Sequence, residues 1–176
     1  MVGGFVGRAV EQAHLVGLLG EALDGRGGLA LLAGEPGIGK TALCERLAQL
    51  ATDRGALVRW GRCPESTGAP PFWPWRQAIG AWPEGDSDVD RFMFFEARAE
   101  AVRALAAERG ALIVLDDLHW ADAPSLQLIR LLAARLGTAS ILLSCTYRDH
   151  EADLSESVVA TLGVLARAPD LIRIKP

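Results

Sequence analysis

The most informative segment of the sequence is LALLAGEPGIGKTAL, residues 29 to 43. An apolar run ends at Ala33, a segment of the form G-x-x-x-x-G-K-[ST] follows from Gly34 to Thr41, and a helical pattern runs from Lys40 to about Thr52. A strand, a glycine-rich loop and a helix in this order are typical of a P-loop, which binds nucleotide phosphates. The residues expected to surround the phosphates are Glu35, Pro36, Gly37, Ile38, Gly39, Lys40, Thr41 and Ala42.

The residue types in this loop match the chemistry of phosphate binding. Glycines allow successive backbone N–H groups to point inward, and the start of the helix adds about half a positive charge. Only two of the 18 basic residues are lysines, and one of them, Lys40, stands where a compact ammonium group faces the β- and γ-phosphates. The hydroxyl group of Thr41 is a predicted Mg²⁺ ligand.

Composition limits the alternatives. A chain of 176 residues that is 50% hydrophobic can build one domain with a sizeable core. The net charge of -4 argues against direct nucleic-acid binding. No apolar run is long enough for a membrane span and no signal peptide is recognisable, so we expect a cytoplasmic location. Cys44, Cys63 and Cys145 are too widely separated to suggest a disulfide framework or a zinc site.

Apolar runs alternate with helical patterns, which predicts a parallel α/β sheet. The predicted strands are Leu29 to Ala33, Ala56 to Trp60, Ala111 to Leu115, Ile141 to Tyr147 and Leu171 to Ile174. The predicted helices are Val10 to Leu23, Lys40 to Thr52, Trp75 to Ile79, Arg91 to Glu108 with Asp90 as its cap and Gly110 at its end, and a last one from Pro124 to Gly137. Loops are expected at 61 to 74 and 81 to 90.

Acidic and basic side chains follow two of these strands. Asp116 and Asp117 come directly after a buried strand, where open α/β sheets place ligands. Asp116 is the predicted second Mg²⁺ ligand, and Asp117 stands where a base orients the attacking water, although aspartate is shorter than the more usual glutamate. Arg148, after the fourth strand, is the candidate sensor of the γ-phosphate.

Four segments together resemble a known family. FVGR at residues 5 to 8, GEPGIGKT at 34 to 41, LIVLDDLHWADAPSL at 112 to 126 and TYRD at 146 to 149 are similar to the ATPase domain of large ATP-binding LuxR-type transcriptional regulators. These regulators belong to the STAND branch of the AAA+-related P-loop proteins. Ala9 departs from the family, which commonly has glutamate after FVGR.

The resemblance implies a three-layer αβα domain over residues 1 to 176, with a five-stranded parallel sheet of order 5-1-4-3-2. It also implies ATP or ADP with Mg²⁺ as cofactors, and Val6, Gly7 and Arg8 near the adenine. Regulators of this family continue into a helical lid, a winged helix, sensor repeats and a DNA-binding helix-turn-helix, so the resemblance implies that these residues are one part of a longer protein. The resemblance is also compatible with a homo-oligomer of the full-length protein.

Three functions remain open from the sequence. The first is a nucleotide-gated switch with slow ATP hydrolysis, and the second is an active enzyme, either a ring-forming ATPase motor or a P-loop kinase. The third is a module that has lost nucleotide binding, which the intact Lys40, Thr41 and Asp116 oppose. Trp73 and Trp75 either pack against the sheet or contact a partner, and packing is the favoured interpretation.

Overall fold

The computed structural model describes residues 8–65, 68–80, 82, 91–150, 154–165 and 171–173. The helices are α1 (Ala9–Leu23), α2 (Lys40–Asp53), α3 (Trp73–Ile79), α4 (Arg91–Ala104), α5 (Ala123–Ala133) and α6 (Glu156–Leu165). The strands are β1 (Gly28–Ala33), β2 (Leu57–Arg62), β3 (Ala111–Asp116), β4 (Ile141–Tyr147) and β5 (Leu171–Arg173). Two short 3₁₀ turns cover Leu118–Trp120 and Leu136–Thr138.

The strands form a parallel sheet, as expected for an α/β fold. The four longer strands lie in the order β2-β3-β4-β1, and β5 pairs with the outer side of β1 through three residues only. The described part of β5 covers three of the four residues of the predicted fifth strand, and the last of these, Ile174, lies outside the described residues. Because all strands run parallel, the carboxyl ends of β1 to β4 meet at one edge of the sheet.

Helices cover both faces of the sheet and give three layers. One face carries α1 and α2, whose Leu15, Leu19, Leu43 and Leu47 pack on alternate strand residues such as Leu32. The other face carries α3 to α6 over the remaining strand positions. Alternation of side chains along each strand divides the apolar residues between the two cores.

Most element boundaries agree with the sequence prediction to within two residues. Helix α5, however, ends at Ala133 and not at Gly137, which lies in the separate turn at Leu136–Thr138. β2 extends two residues further, to Arg62, because its ladder with β3 continues to the Arg62–Asp116 pair. α4 ends at Ala104 and not at Glu108, and the chain then turns toward Gly110, whose φ of 71° suits glycine. The expected cap Asp90 and most of the loop at 81 to 90 lie outside the described residues.

Helix α6 was not predicted. Its inward positions, Val158, Thr161 and Leu165, recur at helical spacing, and the hydroxyl oxygen of Ser155 accepts a hydrogen bond from the N–H of Val158. A serine before an apolar repeat is an N-cap signal. These two features would have identified the helix from the sequence.

β2 and α3 approach each other closely at Gly61. A Cβ atom added to Gly61 would lie 1.9 Å from the carbonyl oxygen of Pro74, a backbone atom that cannot rotate away. We predict that Gly61→Ala lowers the free energy of unfolding by about 1–3 kcal/mol, measured by denaturant titration. The control is Gly17→Ala in α1, where a Cβ meets nothing within 4 Å; it should raise stability by about 0.5–1 kcal/mol. Equal stability of Gly61→Ala and wild type would contradict this contact.

The three cysteines are buried and none forms a disulfide. Burial raises the pKa of Cys44 to about 12 and also raises the pKa of Cys63 and Cys145. Their environment is that of inert core thiols.

Candidate functional site

The loop between β1 and α2 has a backbone that glycine makes possible. Gly37 has a φ of 75° and Gly39 a φ of 101°, both in the region that residues with a Cβ rarely adopt. Gly39 is also the residue directly before α2, so the chain enters the helix without a side-chain cap. The first amides of a helix have no acceptor within it, and no side chain caps them here. This arrangement is suited to an anion.

The side chain of Lys40 is held by hydrogen bonds to this loop. Its Nζ donates hydrogen bonds of 2.8 Å to the carbonyl oxygens of Gly34 and Glu35, and the side chain is 8% exposed. Burial lowers the pKa of Lys40, while the charges of Asp117, Asp149 and Asp116 raise it in part and Arg148 lowers it further. The residues after β3 and β4 therefore act electrostatically on the P-loop lysine, as expected for groups at one sheet edge.

Asp116 is the centre of a hydrogen-bonded cluster that joins three strand ends and α2. The carboxylate is 1% exposed. Its Oδ1 accepts a hydrogen bond from the hydroxyl group of Thr146, and Oγ1 of Thr41 lies 3.3 Å from Oδ1 and 3.2 Å from Oδ2. Nη2 of Arg62 donates to Oδ2 over 2.8 Å. These groups come together because β2, β3 and β4 are adjacent strands of the sheet.

The oxygens of Thr41 and Asp116 fit a magnesium ion. A hydroxyl and a carboxylate oxygen are hard ligands, and Mg²⁺ is commonly held by one or two carboxylates together with phosphate oxygens and water. Within the described part of the chain, no cluster of three or more His, Cys, Asp or Glu side chains could hold a metal by itself. With one carboxylate and one hydroxyl group, the donor set of Asp116 and Thr41 is suited to a metal that arrives with a phosphate ligand.

Asp117 has an unusual backbone conformation. Its φ is 62°, which aspartate tolerates better than most residues, and its N–H donates to Oγ1 of Thr146 over 3.0 Å. The turn at Leu118–Trp120 begins directly after it. The carboxylate is partly exposed, and its Oδ2 lies 3.7 Å from Nε of Arg62. The structure thus places Asp117 beside Asp116 at the carboxyl edge of the sheet.

Arg148 and Arg8 also lie near this edge. The guanidinium carbon of Arg148 is 6.0 Å from the centre of the Trp120 ring, within cation–π range. Nη2 of Arg8 donates to the carbonyl oxygen of Ile38 over 3.1 Å, so the start of α1 contacts the P-loop. Val6 and Gly7, the other two residues expected near the adenine, lie outside the described residues.

The sequence interpretation missed Arg62. The sequence did contain an indication of its role: a basic residue at the end of a strand next to β3 can reach the carboxylates at the end of β3. Recognising it required the register that pairs Arg62 with Asp116, and periodicity does not supply a register. Arg62 lines a groove of about 510 Å³ beside Thr41, between α2 and β2, whose other walls include Glu45, Trp60 and Gln77.

The tryptophans of α3 divide between two environments. Trp75 is fully buried, and its Nε1 donates to the carbonyl oxygen of Ser125 over 3.2 Å. Trp73 is half-buried and, with Trp120, lines a cavity of about 250 Å³. The packing interpretation therefore holds for Trp75.

These features define a class: a P-loop domain whose loop, lysine and Thr41–Asp116 pair are arranged for a nucleotide. The AAA ATPase domain family matches residues 4–144, and the chain belongs to this family. Members of the family bind ATP or ADP, typically with Mg²⁺. Among the described residues, no helix is long and apolar enough to cross a bilayer.

Solved structures share this fold at low sequence identity. Cdc6p from Pyrobaculum aerophilum matches with a TM-score of 0.67 and 23% identity, over 99% of this chain and 46% of that one. The Aeropyrum pernix ORC1 protein in complex with DNA matches with a TM-score of 0.61 and 20% identity, over 96% of this chain and 45% of that one. The replication initiator DnaA, bound to AMPPCP and single-stranded DNA, matches with a TM-score of 0.58 and 16% identity, over 98% of this chain and 48% of that one. The chain spans less than half the length of these proteins. No curated protein matches the sequence.

Proposed function

We propose that this domain is the ATP/ADP-binding switch of a LuxR-type transcriptional regulator of the STAND branch, with slow Mg²⁺-dependent ATP hydrolysis. The main support for the proposal is one cluster of contacts. Nζ of Lys40 donates a hydrogen bond to a carbonyl oxygen of the P-loop, and the hydroxyl group of Thr41 contacts the buried carboxylate of Asp116. The motif LDDLHWAD at residues 115 to 122 supports the regulator family, because it is more specific than a P-loop alone.

Each candidate residue has a role in this proposal. The backbone of residues 35 to 42 and the ammonium group of Lys40 hold the phosphates, and Thr41 and Asp116 hold Mg²⁺. Mg²⁺ neutralises charge on the phosphates when it is bound. Asp117 orients the attacking water, Arg148 responds to the γ-phosphate, and Val6, Gly7 and Arg8 contact the adenine.

The same arrangement supports slow turnover. Asp117 is shorter than the more usual glutamate, so its carboxylate reaches less far toward an attacking water. A switch needs a nucleotide-dependent change in how the core packs against its neighbours, and slow hydrolysis is sufficient to reset it. The neighbours in this proposal are the lid, sensor and helix-turn-helix domains of the parent protein, and DNA contact belongs to the last of these.

Three measurements on the purified chain test the proposal. Labelled ADP and ATP should bind with micromolar or tighter affinity, while phosphate release should stay far below the ordinary enzyme range of about 1–1,000 per second. Oligomer size with ATP should be measured in parallel. Rapid phosphate release together with ATP-dependent ring assembly would favour the motor, and phosphate transfer to a small-molecule acceptor would favour the kinase.

A further inference from the structure

Arg62 is a positively charged partner of the carboxylates at the predicted metal site. Nη2 of Arg62 contacts Oδ2 of Asp116 at 2.8 Å, and Nε lies 3.7 Å from Oδ2 of Asp117. The pKa of Arg62 is raised, first by the hydrogen bond to Asp116 and then by its charge. The contact is therefore a charge-assisted hydrogen bond to an almost fully buried carboxylate.

The same carboxylate oxygen is needed by a metal ion. Oδ2 of Asp116 lies 3.2 Å from Oγ1 of Thr41, the other predicted Mg²⁺ ligand, while Oδ1 accepts the hydrogen bond from Thr146. A divalent cation next to Oδ2 would be repelled by a guanidinium group bonded to that oxygen, since like charges a few ångströms apart cost several kcal/mol near a protein surface. Both cations cannot occupy this oxygen favourably.

Arg62 has space into which it can move. Asp116 is 1% exposed, whereas the side chain of Arg62 is 63% exposed and lines the groove of about 510 Å³ between α2 and β2. Glu45 lies on the α2 wall of this groove and its charge acts on Arg62. The backbone N–H of Arg62 is held by Oε1 of Gln77 over 2.7 Å, so only the side chain needs to move.

We propose that Arg62 is a positioning residue that takes the place of Mg²⁺ at Asp116 and must swing into the groove before the metal binds. The inference rests on the proposed function, because it requires nucleotide and metal at this site. Arg62 then lowers the affinity of the nucleotide complex for Mg²⁺. When Mg²⁺ binds, the Arg62 side chain moves into the groove, so metal binding changes the shape of the groove.

The test compares Mg²⁺ affinity in wild type, Arg62→Gln and a matched control. The control Arg59→Gln removes the same charge from the same strand, where Nη1 of Arg59 bonds to the carbonyl oxygen of Val58. Each protein is first titrated with ADP in EDTA; the EDTA is then removed by dialysis, and the metal-free ADP complex is titrated with Mg²⁺ by calorimetry. We expect Arg62→Gln to retain metal-free ADP binding and to bind Mg²⁺ about tenfold more tightly. Arg59→Gln should resemble wild type.

Unchanged or weaker Mg²⁺ binding by folded Arg62→Gln would overturn the inference while leaving the proposed function intact. Loss of metal-free ADP binding in this variant would also overturn it, because Arg62 would then be a phosphate ligand. If Arg62→Gln does not fold, Arg62→Lys replaces it and should give a smaller increase in Mg²⁺ affinity; a decrease would refute the displacement. Failure of wild type to bind ADP would instead overturn the proposed function and this inference with it.

Discussion

Lys40→Ala is expected to lower ADP affinity by about 100-fold or more, since a charge-assisted hydrogen bond to phosphate is worth up to about 3 kcal/mol and the substitution removes several at once. Lys40 is the only lysine of the P-loop and supplies a compact positive charge there. The buried carbonyl oxygen of Gly34 would also lose its donor, so a modest loss of stability should accompany the loss of affinity.

The measurement is calorimetric titration with ADP and Mg²⁺ on protein whose folding has been checked by thermal unfolding. Arg46→Ala is the control, because it removes a positive charge from the exposed side of the same helix; it should bind ADP like wild type. Lys40→Arg should also bind poorly, because the planar guanidinium does not replace a compact ammonium group. Wild-type affinity in Lys40→Ala would contradict the role given to the loop.

Asp116→Asn is expected to remove the effect of Mg²⁺ on nucleotide binding while leaving metal-free binding in place. The substitution keeps the shape of the side chain but removes the charge that Mg²⁺ needs, so the loss in metal affinity should exceed the roughly 10–100-fold typical of outer-shell changes. The hydroxyl groups of Thr41 and Thr146 can rotate to meet an amide, so the fold should survive.

Mg²⁺ titration of the ADP complex provides the measurement for this variant. Asp53→Asn, at the far end of α2 from the loop, removes the same charge and should leave Mg²⁺ affinity unchanged. An Asp116→Asn protein that still gains ADP affinity with Mg²⁺ as wild type does would show that the metal is held elsewhere.

Much of the site could be predicted from the sequence because its residues sit at strand and helix ends. The run before Gly34 and the run before Asp116 are apolar enough to be strands, and parallel strands bring their ends to one edge. The P-loop itself is contiguous, so its spacing alone identifies it. The order of β1 to β4 came from the family resemblance and agrees with the structure.

What the sequence did not reveal depends on contacts between distant segments. The pairing of Arg62 with Asp116 joins residues 54 positions apart and depends on the register of β2 against β3. The contact of Gly61 with Pro74 depends in the same way on how closely α3 covers β2. The family resemblance suggested which strands are neighbours, but side-chain contacts of this kind require coordinates.

Calorimetric titration of the folded wild-type chain with ADP and Mg²⁺ shows whether the P-loop holds a nucleotide. We expect one site per chain, with micromolar or tighter affinity and a marked loss of affinity when EDTA removes the metal. Absence of any binding heat at several temperatures, with ATP as well as ADP, would contradict it, because the loop, Lys40 and the Thr41–Asp116 pair would then hold no nucleotide.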